Sequence, residues 1–356
     1  MIDFFCAEAD EIIDPCAESV CVAVSGGSDS MSLLVLTAEW ARKKSVKVYC
    51  VTVDHKLRKE SGEEAQFVGN FCRSIGVDHT ILEWNRENDY VVPGKLENLA
   101  REARYKLISD FCENNGIKFL LVGHTMNDQL ETFEIRKNSG SSEIGLACMS
   151  RVRSLTRQVK LVRPLLNFTK NKLEDFLRDR NISWKTDPMN DLEFFLRVAC
   201  RKKLKTRDPQ KLADISDEIK RLGKRRNEIE TAAVNFLKNF CNFSSEEQVI
   251  IERKQLDSEE KNVRAEILKR VIRSVGGKKY TVTLTEDICD KILCKKLNTI
   301  GRCLLKVKKD KIFVLRENRK NCQTIEYFDY INLFDVFLCS YTEIKESELS
   351  DEASII

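Results

Sequence analysis

The chain has 356 residues, 42% hydrophobic and 33% charged, enough apolar material for two or three domains with cores of their own. No apolar stretch approaches the roughly eighteen residues that cross a bilayer, and the acidic N-terminus lacks a signal-peptide pattern, so a cytoplasmic protein with no membrane partner is expected. The net charge of +4 hides a segregation: residues 1–150 carry 16 basic and 24 acidic side chains, 151–230 carry 22 and 12, and 231–356 carry 22 and 20. A basic excess confined to the middle can be a solvated surface, but it also suits a large polyanion.

Fourteen cysteines suggest a disulfide framework only in a small secreted chain. No two are separated by two residues, so no C-x-x-C stands ready for zinc or redox work, and reduced thiols in the core are expected.

Val20 to Val24 is a short apolar run that leads into Ser25-Gly26-Gly27-Ser28-Asp29-Ser30, followed by Met31, Leu33, Leu34 and Leu36 at helical spacing. This reads as strand, glycine turn, helix. Glycines let the backbone approach an anion, the serines offer hydroxyl donors, and the helix start aims free N–H groups and its positive dipole end at the same point. The loop is therefore a phosphate cradle. It lacks the lysine of the common nucleotide loop, and no G-x-x-x-x-G-K-[ST] string occurs, which disfavours a Walker-type motor or kinase.

Further apolar runs at Val46–Val53, Thr80–Leu82, Phe119–Val122 and Lys160–Val162 alternate with helical patterns at about 29–43, 61–75, 95–115, 127–137 and 169–181. Such βαβα alternation predicts an α/β fold, a Rossmann-like parallel sheet with helices on both faces. Ligands bind such sheets at the carboxyl ends of the strands, which singles out residues 25–30, 54–58 and 124–131. His124 follows the fourth strand, and Asp128 and Glu131 sit three apart on one face of the next helix. Either carboxylate could be a mere helix cap. A pair beside a phosphate loop also suits a hard cation such as Mg2+. His55 lies at another strand end. Arg101 and Arg104 share a helix face with Glu97, a spacing that serves solvated ion pairs or, alternatively, a phosphate clamp.

The basic excess begins with Arg151, Arg153, Arg157 and Lys160 and ends with Arg197, Arg201, Lys202, Lys203, Lys205 and Arg207. Arg201, Lys202, Lys203 and Lys205 are the expected nucleic-acid contacts, positioning phosphates without reading sequence. A long helix follows, with Ile215, Ile219, Leu222, Ile229 and Phe236 on one stripe. Helices near 259–275 and 285–294, a Gly276-Gly277 stop and strands at 302–307 and 311–315 predict a smaller α+β C-terminal domain. The expected division is an α/β domain over 1–205, a helical linker over 206–242, the smaller C-terminal domain over 243–342 and a disordered acidic tail over 343–356. The aromatic-rich 325–341 would be a late strand or helix of that third part.

These strings resemble the PP-loop ATP pyrophosphatases and, within them, the tRNA(Ile)-lysidine synthetases. SGGSDS marks the superfamily. The narrower resemblance rests on DHKLRKESGEEA at 54–65, NLAREARY at 98–105, GHTMNDQLET at 123–132, RPLL at 163–166 and DPMNDLEFFLR at 187–197, in the family's order, and covers roughly residues 18 to 205. It implies ATP-dependent adenylation of the C-2 carbonyl of the wobble cytidine in a CAU-anticodon tRNA(Ile). Attack by L-lysine follows, with AMP and pyrophosphate released. The cofactors implied are ATP and Mg2+, the partners tRNA and lysine, and a homodimer is compatible.

Under that resemblance Ser25, Gly26, Gly27, Ser28, Asp29 and Ser30 hold pyrophosphate, and Asp29, Asp128 and Glu131 hold or orient the metal. Arg101, Arg104 and Arg197 contact phosphate or the adenylate, His124 holds the nucleotide or activated base, and Asp128 or Glu131 handles the lysine amine. The family commonly reads His-His-x-Asp-Asp where this chain has His124-Thr125-Met126-Asn127-Asp128, and asparagine where it has Val198. A tRNA thiolase sharing the adenylation step and a non-catalytic nucleotide sensor are the alternatives. The first calls for a cysteine relay, which only isolated thiols such as Cys148 or Cys200 could supply, and the second has no use for the carboxylate pair.

Overall fold

The computed structural model describes residues 1–56, 61–84, 96–185 and 200–317, less 202, 205, 246–247 and 277–283. They form two compact units, one from Met1–Ser139 with Cys148–Ile219, the other from Gly140–Ala147 with the segment from Lys220 onward. The 187–197 motif with Arg197 and Val198, Lys202, Lys205, the 325–341 segment and the acidic tail lie outside the described residues.

In the first unit the strands are β1 (Ser19–Ala23), β2 (Lys47–Asp54), β3 (Asp78–Glu83), β4 (Phe119–Leu121), β5 (Val152–Ser154) and β6 (Lys160–Val162), ordered β3-β2-β1-β4-β6-β5. Helices α1 (Ile2–Ile12), α2 (Ser28–Lys44), α3 (Ser61–Ile75), α4 (Leu96–Asn114), α5 (Met126–Asn138) and α7 (Lys170–Arg178) accompany them. The pairings β3-β2, β2-β1, β1-β4 and β4-β6 are parallel. The expected parallel sheet is present, and an edge strand that the sequence reading did not include is added to it: β5 runs antiparallel to β6, with Val152 opposite Val162. The chain between them is only five residues long, too short for the crossover that a parallel pair needs.

Both sheet faces are buried, which is why the strands read as continuous apolar runs. Along β1 and just beyond, Val20, Val22 and Val24 enter the core shared with α1, α2 and α7, while Cys21 enters a second cluster with Ile108 and Cys112 of α4. In β4, Phe119 and Leu121 face the first cluster and Leu120 the second, the period of two that a strand imposes. Helix α1 was not anticipated, although Phe5, Ala9 and Ile12 are fully buried along one stripe. Arg151 ties it down through Glu8 at 2.6 Å and Glu11 at 2.8 Å.

The strand order places the functional residues. From β1 the chain moves outward to β2 and β3, then returns to the other side of β1 as β4. A crevice opens at such a reversal, just beyond the carboxyl ends of β1 and β4.

Helix α8 (Pro209–Phe240) contains the boundary between the units, within the 206–242 stretch expected to be helical. The second unit has the short α6 (Glu143–Leu146), α9 (Arg253–Ser258), α10 (Lys261–Gly276) and α11 (Glu286–Cys294), and strands β7 (Cys241–Ser245), β8 (Gln248–Glu252), β9 (Leu297–Ile300), β10 (Cys303–Val307) and β11 (Lys311–Arg316). The sheet is antiparallel, ordered β7-β8-β11-β10-β9, and its core joins Val249, Leu305 and Val314 to Ile267, Val271 and Ile292. Gly301 and Arg302 close the β9-β10 hairpin with φ of 60° and 66°, the double left-handed conformation of a tight hairpin turn. The carbonyl of Gly301 would lie 2.1 Å from a Cβ on Gly276, so α10 can end there only in glycine. No helix among the described residues is long and apolar enough to cross a membrane.

Candidate functional site

The 25–30 segment turns from β1 into α2 as expected. Gly26 takes φ +89°, a left-handed conformation that side chains disfavour, and Gly27 is the N-cap. The serines organise the loop from within: Ser30 Oγ donates to the Gly27 carbonyl at 3.0 Å and accepts the Ser25 N–H at 3.2 Å. Ser25 Oγ lies 3.3 Å from Ser30 Oγ, and Ser28 is buried. Asp29 lies in the first turn of α2 with Arg42, Lys43 and Lys44 in the last, so both ends oppose the helix dipole. The backbone N–H of Lys185, far along the chain, donates to the Gly26 carbonyl at 2.9 Å.

The start of α2 meets the end of β4. A Cβ on Gly123 would lie 3.2 Å from both the carbonyl carbon of Asp29 and the backbone nitrogen of Ser30. Burial pushes the Asp29 carboxyl up to about 6, Lys170 opposing and Asp128 and Glu174 adding to the rise. Its Oδ1 is buried without a hydrogen-bond partner. Asp128 Oδ2 meanwhile accepts the Thr125 N–H at 2.7 Å and the Thr125 hydroxyl at 3.0 Å. Asp128 thus caps α5 while its charge reaches Asp29.

His124 stands among guanidiniums. Burial first, then Arg163, Arg101 and Arg153, push its imidazole down to about 4, Asp128 opposing, so the ring is neutral at pH 7. Its Nδ1 is buried without a partner, as is Arg153 Nε. Arg101 and Arg153 both lie over the Tyr105 ring, 5.2 Å and 5.6 Å from its centroid. Arg104 turns elsewhere, with Nε 3.2 Å from His55 Nε2, whose ring stands edge-on to Trp84. The two expected arginines therefore occupy different surroundings.

Glu131, the third carboxylate of the expected metal trio, has a cation as partner. It is buried at 5% exposure, and its Oε1 accepts Arg201 Nε at 2.7 Å. One turn on, Glu134 accepts Arg207 Nη1 at 2.5 Å and Lys203 Nζ at 3.3 Å. Three cations of the basic belt, Arg201, Lys203 and Arg207, are thus paired with carboxylates of α5. Among the described residues no three His, Cys, Asp or Glu groups gather closely enough to hold an ion. Asp29 with its unpaired oxygen and Asp128 beside it still fit Mg2+, which commonly takes one or two carboxylates and completes its shell with phosphate oxygens and water.

A PP-loop domain model matches residues 5–207 of the chain. The tRNA(Ile)-lysidine synthase of Wolbachia pipientis wMel is 32% identical over 313 residues, which cover 85% of this chain and 71% of that protein. The chain belongs to the tRNA(Ile)-lysidine synthase family. Further tRNA(Ile)-lysidine synthases match over about half of the chain. That of Orientia tsutsugamushi (strain Boryong) is 36% identical over 52% of this chain, and that of Brucella suis 44% over 49%. These two matches span only 41% and 39% of the relatives' own lengths. Among solved structures, the U34-tRNA thiolase from Methanococcus maripaludis, determined with its 4Fe-4S cluster, superposes with a TM-score of 0.53 at 15% identity. The match covers 62% of this chain and 77% of that one, and the likeness is one of fold.

Two departures from the family's motif have structural explanations. Thr125, in place of the common histidine, is the N-cap of α5 and donates to Asp128. Asn127, in place of the aspartate, accepts the Lys170 N–H at 2.9 Å through its amide oxygen and so anchors the start of α7. An amide oxygen does this as a carboxylate would, without adding a negative charge near Asp29. Arg153, Arg163 and Lys170 complete the surroundings of the site but were not singled out as site residues. Arg163 within RPLL and Arg153 within the basic excess were the signals for two of them.

Proposed function

We propose that the chain is an ATP-dependent ligase that forms a carbon–nitrogen bond, converting the wobble cytidine of CAU-anticodon tRNA(Ile) to lysidine in the cytoplasm and changing codon reading from AUG to AUA. The observation that carries this reading is the meeting of an uncompensated Asp29 oxygen, Asp128 and neutral His124 at the sheet's reversal, beside a glycine loop that lacks a lysine. In the first step the C-2 carbonyl oxygen attacks the α-phosphorus of ATP, and the bond to pyrophosphate breaks. Ser25–Ser30 hold the departing pyrophosphate with backbone N–H groups and the helix dipole. Bound Mg2+ would neutralise charge on the phosphates, held by Asp29 and Asp128.

Arg101 and Arg153 supply positive charge beside Tyr105, placed to steady the α-phosphate or the adenylate. Neutral His124 can donate one hydrogen bond and accept another at the activated base without adding charge. In the second step the lysine amine attacks C-2, the C–O bond to AMP breaks, and the amine's proton passes to a carboxylate. Asp128 and Glu131 are the candidates, and Glu131 must first exchange its contact with Arg201.

The two buried thiols a sulfur relay could use, Cys148 and Cys200, lie at 3% and 9% exposure, which does not favour a thiolase. The test is exchange of labelled pyrophosphate into ATP. Exchange that requires the CAU-anticodon tRNA and proceeds without lysine supports adenylation of the base. Exchange that requires lysine and proceeds without tRNA would instead indicate activation of the amino acid.

A further inference from the structure

The glycine loop poses an electrostatic problem. Pyrophosphate leaves with several negative charges, the loop's own ionisable side chain is acidic Asp29, and the cation acting on Asp29 is Lys170. Backbone N–H groups and a helix dipole hold phosphate well, but nucleotide loops usually add a lysine as a mobile point charge.

Lys185 reaches the loop from about 160 positions down the chain. Ile182 and Trp184 pack against the core of the first unit and fix the segment's path. The Lys185 N–H then donates to the Gly26 carbonyl at 2.9 Å, and its Cβ and Cγ come within 3.8 Å of the position a Cβ on Gly26 would take. The ammonium lies 5.3 Å from the centroid of the Phe67 ring on α3. Among the described residues it has no carboxylate partner. A lysine at the edge of an anion loop, held by its backbone and resting on an aromatic face, has its charge in reserve, because an exposed cation–π contact is weak beside a contact with phosphate.

We propose that Lys185 supplies the cation the glycine loop lacks, its ammonium leaving the Phe67 ring to bind the pyrophosphate held at Ser25–Ser30. This rests on reading the loop as the pyrophosphate cradle. The assignment is specific to the side chain, since the bond to Gly26 uses the main chain and survives replacement of the ammonium.

The experiment is calorimetric titration of the full-length protein with inorganic pyrophosphate at two salt concentrations, comparing wild type, Lys185→Met and Lys185→Arg. Lys185→Met should weaken binding about tenfold and flatten its salt dependence, with the melting temperature unchanged, while Lys185→Arg should stay within about threefold of wild type. Wild-type affinity and salt dependence in Lys185→Met would overturn the assignment and leave the loop reading intact. Equal losses in the Met and Arg variants would also overturn it, since shape rather than charge would then matter. Failure of the wild type to bind pyrophosphate would overturn the loop reading as well.

Discussion

Gly123 and Asp29 approach backbone to backbone, so closely that a Cβ on Gly123 would stand 3.2 Å from the Asp29 carbonyl carbon and 3.3 Å from its oxygen. This contact joins the end of β4 to the start of α2 and brings residues almost a hundred positions apart into one site. Main-chain atoms in a packed helix start have little room to yield. Gly123→Ala should therefore cost about 1–3 kcal/mol in urea denaturation and lower the adenylation rate more than the stability loss explains. An alanine variant with wild-type stability and turnover would show the two backbones free to separate.

Asp29 carries a signature in pH. Its carboxyl titrates at about 6 in the folded protein against 3.8 unperturbed. The folded state therefore holds this proton more tightly, and the resulting stability, complete below about pH 4, is lost as pH rises through 6. In the metal-free protein, Asp29→Asn should be more stable than wild type by about 3 kcal/mol at pH 8 and nearly equal to it at pH 4. It should have no adenylation activity. Equal stability at both pH values would mean that the carboxyl is not desolvated.

His124 should behave in the opposite sense. Its imidazole titrates at about 4, so its stabilising contribution is full above the ordinary value of 6.5 and is lost as pH falls through 4. The chain has three histidines, which makes assignment of the ring resonances tractable. A proton NMR titration should show His124 neutral at pH 6, and Arg153→Met should raise its midpoint by removing a nearby positive charge. An unmoved midpoint would place Arg153 outside the His124 environment.

The legible parts of this molecule are those written in contiguous residues. Val20–Val24 and Phe119–Val122 were readable as strands because both their faces are buried, and the glycine loop, His124 and Asp128 because each follows a strand end directly. Helix α1 and edge strands such as β5 and β7 were passed over: they are short, and polar residues such as Glu8, Arg153 and Asn242 interrupt their apolar pattern. Site residues brought in by tertiary folding left little trace. Lys170 reaches Asp29 because Asn127 anchors α7, and Arg153 reaches His124 because an antiparallel strand is added at the sheet's edge. Helical spacing puts Asp128 and Glu131 on one face of α5, yet it could not reveal that Arg201 takes Glu131 as a partner.

The basic belt also serves stability. Glu134 is buried at 4% exposure, and its carboxyl is held below the usual range chiefly by Arg207, with Lys203 assisting against the opposing effect of burial. Arg207→Met leaves that carboxylate without its principal partner and should cost about 1–2 kcal/mol, the guanidinium being partly solvated. Lys203 is more than half exposed, and Lys203→Met should change stability by less than about 0.5 kcal/mol. Thermal denaturation of both variants decides this, and equal effects would contradict the assignment.

The most direct measurement supplies the purified full-length protein with ATP, Mg2+, labelled L-lysine and CAU-anticodon tRNA(Ile), followed by nucleoside analysis of the tRNA. The account predicts one lysine joined to the wobble cytidine for each AMP and each pyrophosphate released, and no incorporation by Asp29→Asn. Release of AMP and pyrophosphate with no lysine in the tRNA would contradict it.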